Sequence, residues 1–206
     1  MDGVLVNSEP MHKKAEMQTC AKFGMFVPED EWEHFRGKKL EDIFSYVSKK
    51  YGTGKESIEK MCEYKIALYL SYALTEMDIV PGAYEFLAYL KDSTSYRLAL
   101  TTSGRKHQQD QILQRFNLEH FFEIMITAED VKKGKPDPEP YALTVKKLGE
   151  DPKNCLVIED ADNGILSAKA AGCIACGFTT TFDKEKLEMA GADIVVDTFL
   201  ELKEKL

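Results

Sequence analysis

The sequence predicts an α/β fold, a doubly wound parallel, Rossmann-like core sheet interrupted by an inserted all-helical domain. Two observations predict it. After Val80-Pro81-Gly82, short apolar runs of strand length alternate with helix-length segments, the signature of right-handed crossovers in a parallel sheet. Over residues 9–78, by contrast, every periodic segment reads helical and no strand signal intervenes. The expected division is a core domain of residues 1–10 and 79–206 and a helical domain of residues 11–78.

Within the helical stretch, Ser8 suits an N-cap, Glu9 and Pro10 suit the first turn, and Gly24 can stop the helix. Leu40, Ile43, Phe44 and Val47 follow the i, i+3, i+4, i+7 spacing of an amphipathic helix closed by Gly52 and Gly54. A longer helix is expected over residues 56–75. In the alternating stretch, a helix at 83–91 precedes a strand at 96–102, and a helix at 105–116 precedes a strand at 123–127. A helix at 139–148, a strand at 155–158, a helix at 164–171 and a strand at 174–178 follow. The last elements are a helix at 184–189, a strand at 193–196 and a closing helix.

Composition narrows the function classes. A chain of 206 residues with 44% hydrophobic content can bury a sizeable core. Its formal net charge of -8 argues against binding a phosphate backbone, although a small phosphorylated ligand is compatible where local cations or a metal offset repulsion. No apolar run approaches the roughly 20 residues of a membrane helix, and no secretory signal opens the chain. Five scattered cysteines suit reduced thiols in a cytoplasm. Cys173 and Cys176 match C-x-x-C, but in an apolar strand-like run rather than at a helix start, which favours two small buried residues over redox chemistry.

Ligands of parallel sheets sit beyond the carboxyl ends of the strands. Four groups are expected to converge there: Asp2-Gly3, Thr102-Ser103-Gly104, Lys135-Pro136 and Glu159-Asp160. Their chemistry suits phosphoryl transfer, where charge on three equatorial oxygens must be positioned and stabilised. Thr102, Ser103 and the amides near Gly104 can donate hydrogen bonds, a helix starting near Arg105 adds its dipole, and Lys135 supplies a point charge. Glu159 and Asp160 are hard oxygen ligands suited to magnesium. Taken singly, each would be a turn, a loop or a solvated strand end; their order and placement carry the argument.

In the same order the chain resembles the haloacid dehalogenase (HAD) superfamily. Met1-Asp2-Gly3-Val4-Leu5-Val6-Asn7-Ser8 is similar to the tail of its first motif, Leu98-Ala99-Leu100-Thr101-Thr102-Ser103 to the second, Lys133-Gly134-Lys135-Pro136-Asp137-Pro138 to the third, and Val157-Ile158-Glu159-Asp160-Ala161 with Gly164 to the fourth. The helical insert matches the cap position of the β-phosphoglucomutase-like and sugar-phosphate phosphatase subgroup. The resemblance implies that Asp2 is the general acid/base and lends its carbonyl to Mg2+, with Asp160 and Glu159 as metal carboxylates and Thr102 and Lys135 on phosphate. It places the nucleophilic aspartate immediately before Met1, at the end of the central strand, so the 206-residue chain as numbered is expected to be inactive. His12 falls where some relatives place a histidine near the cap hinge, and a surface or packing role stands beside that.

Phe35-Arg36-Gly37-Lys38-Lys39-Leu40 resembles the substrate-reading loop of the cap. A phosphoglucomutase is expected to carry arginine after the glycine, whereas two lysines follow it here. Arg36, Lys38, Lys39 and Lys65 can receive a distal anion or form a solvated basic face. The resemblance therefore implies a Mg2+-dependent phosphomonoesterase for a small sugar or organic phosphate, working through an aspartyl-phosphate. A phosphosugar mutase and a catalytically dead phosphometabolite-binding protein are the alternatives. The expected partner is a small phosphorylated metabolite rather than nucleic acid or membrane, with the protein a monomer or weak homo-oligomer.

Overall fold

The computed structural model describes residues 1–35 and 38–206. They divide into two units, one of Ser8–Met77 and one of Met1–Asn7 with Asp78–Leu206. Helices α1 (Glu9–Lys22), α2 (Leu40–Tyr51) and α3 (Ile58–Thr75) build the first. Pro10 sits in the first turn of α1, where its missing N–H costs nothing. Gly24, at φ +77°, takes the left-handed conformation that stops it. Ile43, Phe44 and Val47 of α2 pack with Met61, Cys20, Trp32 and Phe35 in one apolar core.

Two details depart from the sequence pattern. A 3-10 helix at Glu29–Phe35 carries no periodic signal long enough to read. The helix expected from residue 56 starts at Ile58 instead, behind the N-cap Ser57. Glu56 is diverted: its carboxylate accepts from the Thr53 N–H and the Ser48 hydroxyl, closing the preceding turn rather than entering the helix.

In the second unit the strands are β1 (Ala99–Thr101), β2 (Ile124–Ile126), β3 (Leu156–Glu159), β4 (Ile174–Phe178) and β5 (Ile194–Val196). The helices are α4 (Ala83–Ser93), α5 (Lys106–Arg115), α6 (Glu139–Leu148), α7 (Asp162–Ala170), α8 (Lys184–Met189) and α9 (Phe199–Glu204). All strand pairs are parallel, β1 with β2 and β3-β4-β5 in that order. The strands are shorter than the apolar runs that announce them. Tyr96 and Arg97 are exposed, and the Tyr96 N–H is taken by the Thr94 hydroxyl, so the paired strand begins only at Ala99.

Leu100, Phe86, Phe178, Phe199 and Leu202 anchor the main core, with Phe199 stacked on Phe86 and tilted against Phe178. Among the described residues β1 and β3 do not pair with each other. A cavity of 410 Å3 lies beside them, lined by Met1, Leu5, Leu100, Tyr141, Val157 and Phe199 among others. The N-terminal segment is tied to residues 78–80: Val80 N–H donates to Leu5, Asn7 N–H donates to Asp78, and Val6 bridges Ile79. Cys173 and Cys176 are buried free thiols, each pushed up to about 11 chiefly by burial, as the packing reading of C-x-x-C expects. Among the described residues no helix is long and apolar enough to cross a membrane.

Candidate active site

Glu159, the last residue of β3, and Asp160, which follows it, enter different surroundings. Glu159, 7% exposed, turns toward α6 and α7. Its Oε1 accepts from both the Lys135 ammonium and the buried Tyr141 hydroxyl. Gly164 makes room for it: a Cβ there would fall 2.1 Å from the Glu159 carboxyl carbon. Burial by itself would push this carboxyl up. The charge of Lys135 and the Lys135 and Tyr141 hydrogen bonds outweigh that and hold it below its usual range. Lys135 also donates to the Thr101 carbonyl at 3.3 Å, so it spans the carboxyl ends of β1 and β3.

Asp160 faces the other way. Its Oδ2 accepts from the Thr181 hydroxyl and lies against Gly3, whose φ of +66° and lack of a side chain permit the approach; a Cβ would sit 1.8 Å away. Burial, then the charges of Glu159 and Asp2, push Asp160 up to about 6 despite the Thr181 hydrogen bond. Asp2 is half-buried, paired to Val6 by a backbone bridge, and close enough for its charge to act on Asp160. The Thr180 hydroxyl donates to the Gly3 carbonyl and fixes this turn.

At the end of β1, Thr102 is buried, its N–H donating to Ile126 and its hydroxyl accepting from the Gly104 N–H at 3.1 Å. Gly104 packs on the side-chain amide of Gln109, leaving no space for a Cβ. Ser103 is exposed, and Arg105 is the N-cap of α5. Asp2, Thr102, Gly104, Lys135, Glu159 and Asp160 thus belong to one unit, at the carboxyl ends of β1 and β3.

The remaining expected residues lie on the helical unit. The His12 ring stacks on Tyr69 at 4.0 Å, and its Nδ1 lies 2.6 Å from the Lys65 ammonium. Lys65 is buried and 3.5 Å from Glu16. Lys38 and Lys39 are exposed. Arg36 lies outside the described residues.

Tyr141 and Thr181 are the two residues that sequence reasoning does not single out. Tyr141 reads as part of the apolar face of α6, and the only available signal is that a buried tyrosine needs a partner for its hydroxyl. Among the described residues no three His, Cys, Asp or Glu side chains gather into a protein cage for a metal. Mg2+ needs less, one or two carboxylates completed by water and phosphate. Two half-buried carboxylates that repel each other, Asp160 and Asp2, fit that demand.

Comparisons with known proteins bear on the family and the fold. The family profile described as haloacid dehalogenase-like hydrolase matches residues 1–178. The validoxylamine A 7'-phosphate phosphatase of Streptomyces hygroscopicus subsp. limoneus is 32% identical over 98% of this chain and 93% of its own. The phosphorylated carbohydrates phosphatase of Thermotoga maritima is 31% identical over 84% of this chain and 79% of its own. The crystal structure of an Entamoeba histolytica HAD hydrolase, family IA, variant 3, superposes with a TM-score of 0.85 at 26% identity, covering 98% of this chain and 92% of that one.

Proposed function

The chain belongs to the haloacid dehalogenase-like hydrolases, and from that premise we propose that it is a Mg2+-dependent phosphomonoesterase of a small sugar or organic phosphate. The observation that carries the reading is the convergence of Thr102, Lys135, Glu159, Asp160 and Asp2 at the carboxyl ends of β1 and β3. The substrates named in its relatives, phosphorylated carbohydrates and validoxylamine A 7'-phosphate, support the substrate class.

In this reading Lys135 holds the phosphoryl oxygens while Glu159 balances its charge. Thr102 and the turn at Gly104 orient the group at the N-terminus of α5. Asp2 protonates the leaving oxygen and then takes a proton from the attacking water. Asp160 and the Asp2 carbonyl would hold Mg2+, with Glu159 adjacent, and the bound ion would neutralise charge on the transferred group. The nucleophile is a carboxylate expected immediately before Met1, attacking phosphorus to give an aspartyl-phosphate.

A chain extended by an apolar strand ending in aspartate before Met1 tests the proposal against hexitol, sugar and glycerol phosphates. Phosphate release that EDTA abolishes and Asp2→Asn suppresses is expected. Release indifferent to EDTA, or none from any substrate, overturns it. Residues 1–206 tested alone are expected to give no turnover. A mutase on the same site would instead isomerise a phosphosugar, need a bisphosphate activator and release little phosphate.

A further inference from the structure

We propose that Thr181 is a positioning residue for the metal site: its hydroxyl holds the Asp160 carboxylate against the turn that carries Asp2 and so presets the spacing of the two acids for a divalent cation. The inference rests on the Mg2+-dependent reading of this site and names the group that fixes its geometry. Asp160 has an electrostatic reason to move away. Glu159 and Asp2 both act on it with like charge, and it lies just past the last residue of β3. Left to itself, the carboxylate would turn from Asp2 as far as its rotamers allow. The Thr181 hydroxyl opposes that by donating to Asp160 Oδ2. The contact occupies the space of the side chain that Gly3 lacks: a Cβ there would fall 1.8 Å from Asp160 Oδ2 and 2.9 Å from Thr181 Oγ1. The type of donor matters. A hydroxyl is neutral, so it orients one oxygen without cancelling the charge that a cation needs, whereas an ammonium would compete with the ion for the carboxylate.

The loop that presents Thr181 is anchored on both sides. Thr179 leaves β4 with its N–H donating to the Val196 carbonyl at 3.1 Å and its hydroxyl donating to Asp197. The Thr180 N–H donates to the Phe178 carbonyl at 2.9 Å, closing a three-residue turn, and its hydroxyl donates to the Gly3 carbonyl. Beyond Thr181, the Lys186 ammonium lies 3.3 Å from the centroid of the Phe182 ring, and Asp183 caps α8 by accepting from the Lys186 N–H at 2.9 Å. Consecutive hydroxyls therefore grip the two segments that bear the acids, Thr180 the turn at Gly3 and Thr181 the carboxylate of Asp160. Thr179 meets Asp197 instead, which makes it the control.

Thr181→Val keeps the branched shape and removes the donor. Calorimetric titration of residues 1–206 with Mg2+ alone, at about pH 8 so that protons do not compete for the carboxylate, reads the role directly. Mg2+ affinity is expected to fall about tenfold or more in Thr181→Val and to stay within about threefold of wild type in Thr181→Ser, which restores a hydroxyl. Thr179→Val, which loosens the same loop away from the acids, is expected to stay within about twofold. Unchanged affinity in Thr181→Val, no rescue by Thr181→Ser, or an equal loss in Thr179→Val overturns the assignment, the last because it would trace the effect to loop order. Should Thr181→Val fail to fold, Thr181→Ala, which removes the hydroxyl without leaving a methyl against Asp160, decides in its place on the same criteria. Wild-type protein that binds no Mg2+ overturns the metal reading itself and this role with it.

Discussion

Lys135 in the core unit and Lys65 in the helical unit are each largely buried against a tyrosine ring, with ammonium-to-centroid distances of 4.8 and 5.3 Å, and each has a carboxylate within reach. In the core, Glu159 is hydrogen-bonded by both the lysine and the tyrosine, and its carboxyl is held below the usual range despite burial. In the helical unit, the Lys65 ammonium lies 2.6 Å from the His12 ring nitrogen and 3.5 Å from Glu16. There burial prevails, and the Glu16 carboxyl is raised in spite of Lys65. A buried carboxyl is thus held down where a lysine and a tyrosine hydroxyl converge on it, and raised where burial outweighs a lysine.

The contrast is broken most directly by removing each lysine. Lys135→Ala leaves Glu159 buried with only Tyr141, and urea denaturation is expected to show a loss of about 3 kcal/mol. Lys65→Ala is expected to cost under about 2 kcal/mol, since the desolvation of the lysine is relieved together with the loss of its contacts. Equal losses would mean that the two clusters do not differ. A gentler probe enters from the backbone side. Gly164→Ala pushes a methyl into the Glu159 carboxylate and is expected to cost about 2 kcal/mol, whereas Gly134→Ala, with nothing within 4 Å of its Cβ, stays within about 0.5 kcal/mol.

Acid titration sharpens the same point, because the two carboxyls shift in opposite directions from 4.5. Glu159, lowered in the folded state, contributes stability that is present above pH 4.5 and lost as pH falls through its folded value; Glu159→Gln should remove that acid loss. Glu16, raised, favours folding most below pH 4.5 and less as pH rises through its folded value; Glu16→Gln should remove that decline. Denaturation midpoints from about pH 3 to pH 7 check both signs. The smallest effect is chemical. With a thiol reagent on native protein, Cys62 and Cys155, both partly exposed, are expected to react before the buried Cys20, Cys173 and Cys176. Early labelling of Cys173 or Cys176 would show that the core opens more readily than its packing implies.

These clusters also mark where sequence reasoning stops. Alternation of apolar runs and amphipathic segments located the parallel strands and the helices between them, because periodicity records which face is buried. It overran the strand ends, as at Tyr96 and Arg97, since apolar or β-prone character does not require a ladder partner. Thr102, Lys135, Glu159 and Asp160 were legible because motif order and strand ends coincide. Which acid meets which cation was not, for the deciding contacts come from Tyr141, Gly164, Gly3 and Thr181, residues whose types are unremarkable until the chain is folded.

The bridge between Val6 and Ile79 has a kinetic consequence. It joins two segments separated by the whole of Ser8–Met77, so docking Met1–Asn7 onto the rest of the core unit requires a long loop to be closed. For a disordered loop of that length the closure entropy is on the order of 4 kcal/mol. A helical unit that folds early brings its own ends together and removes much of that penalty in advance. Substitutions in its apolar core, such as Phe44→Ala, should therefore slow the docking of Met1–Asn7.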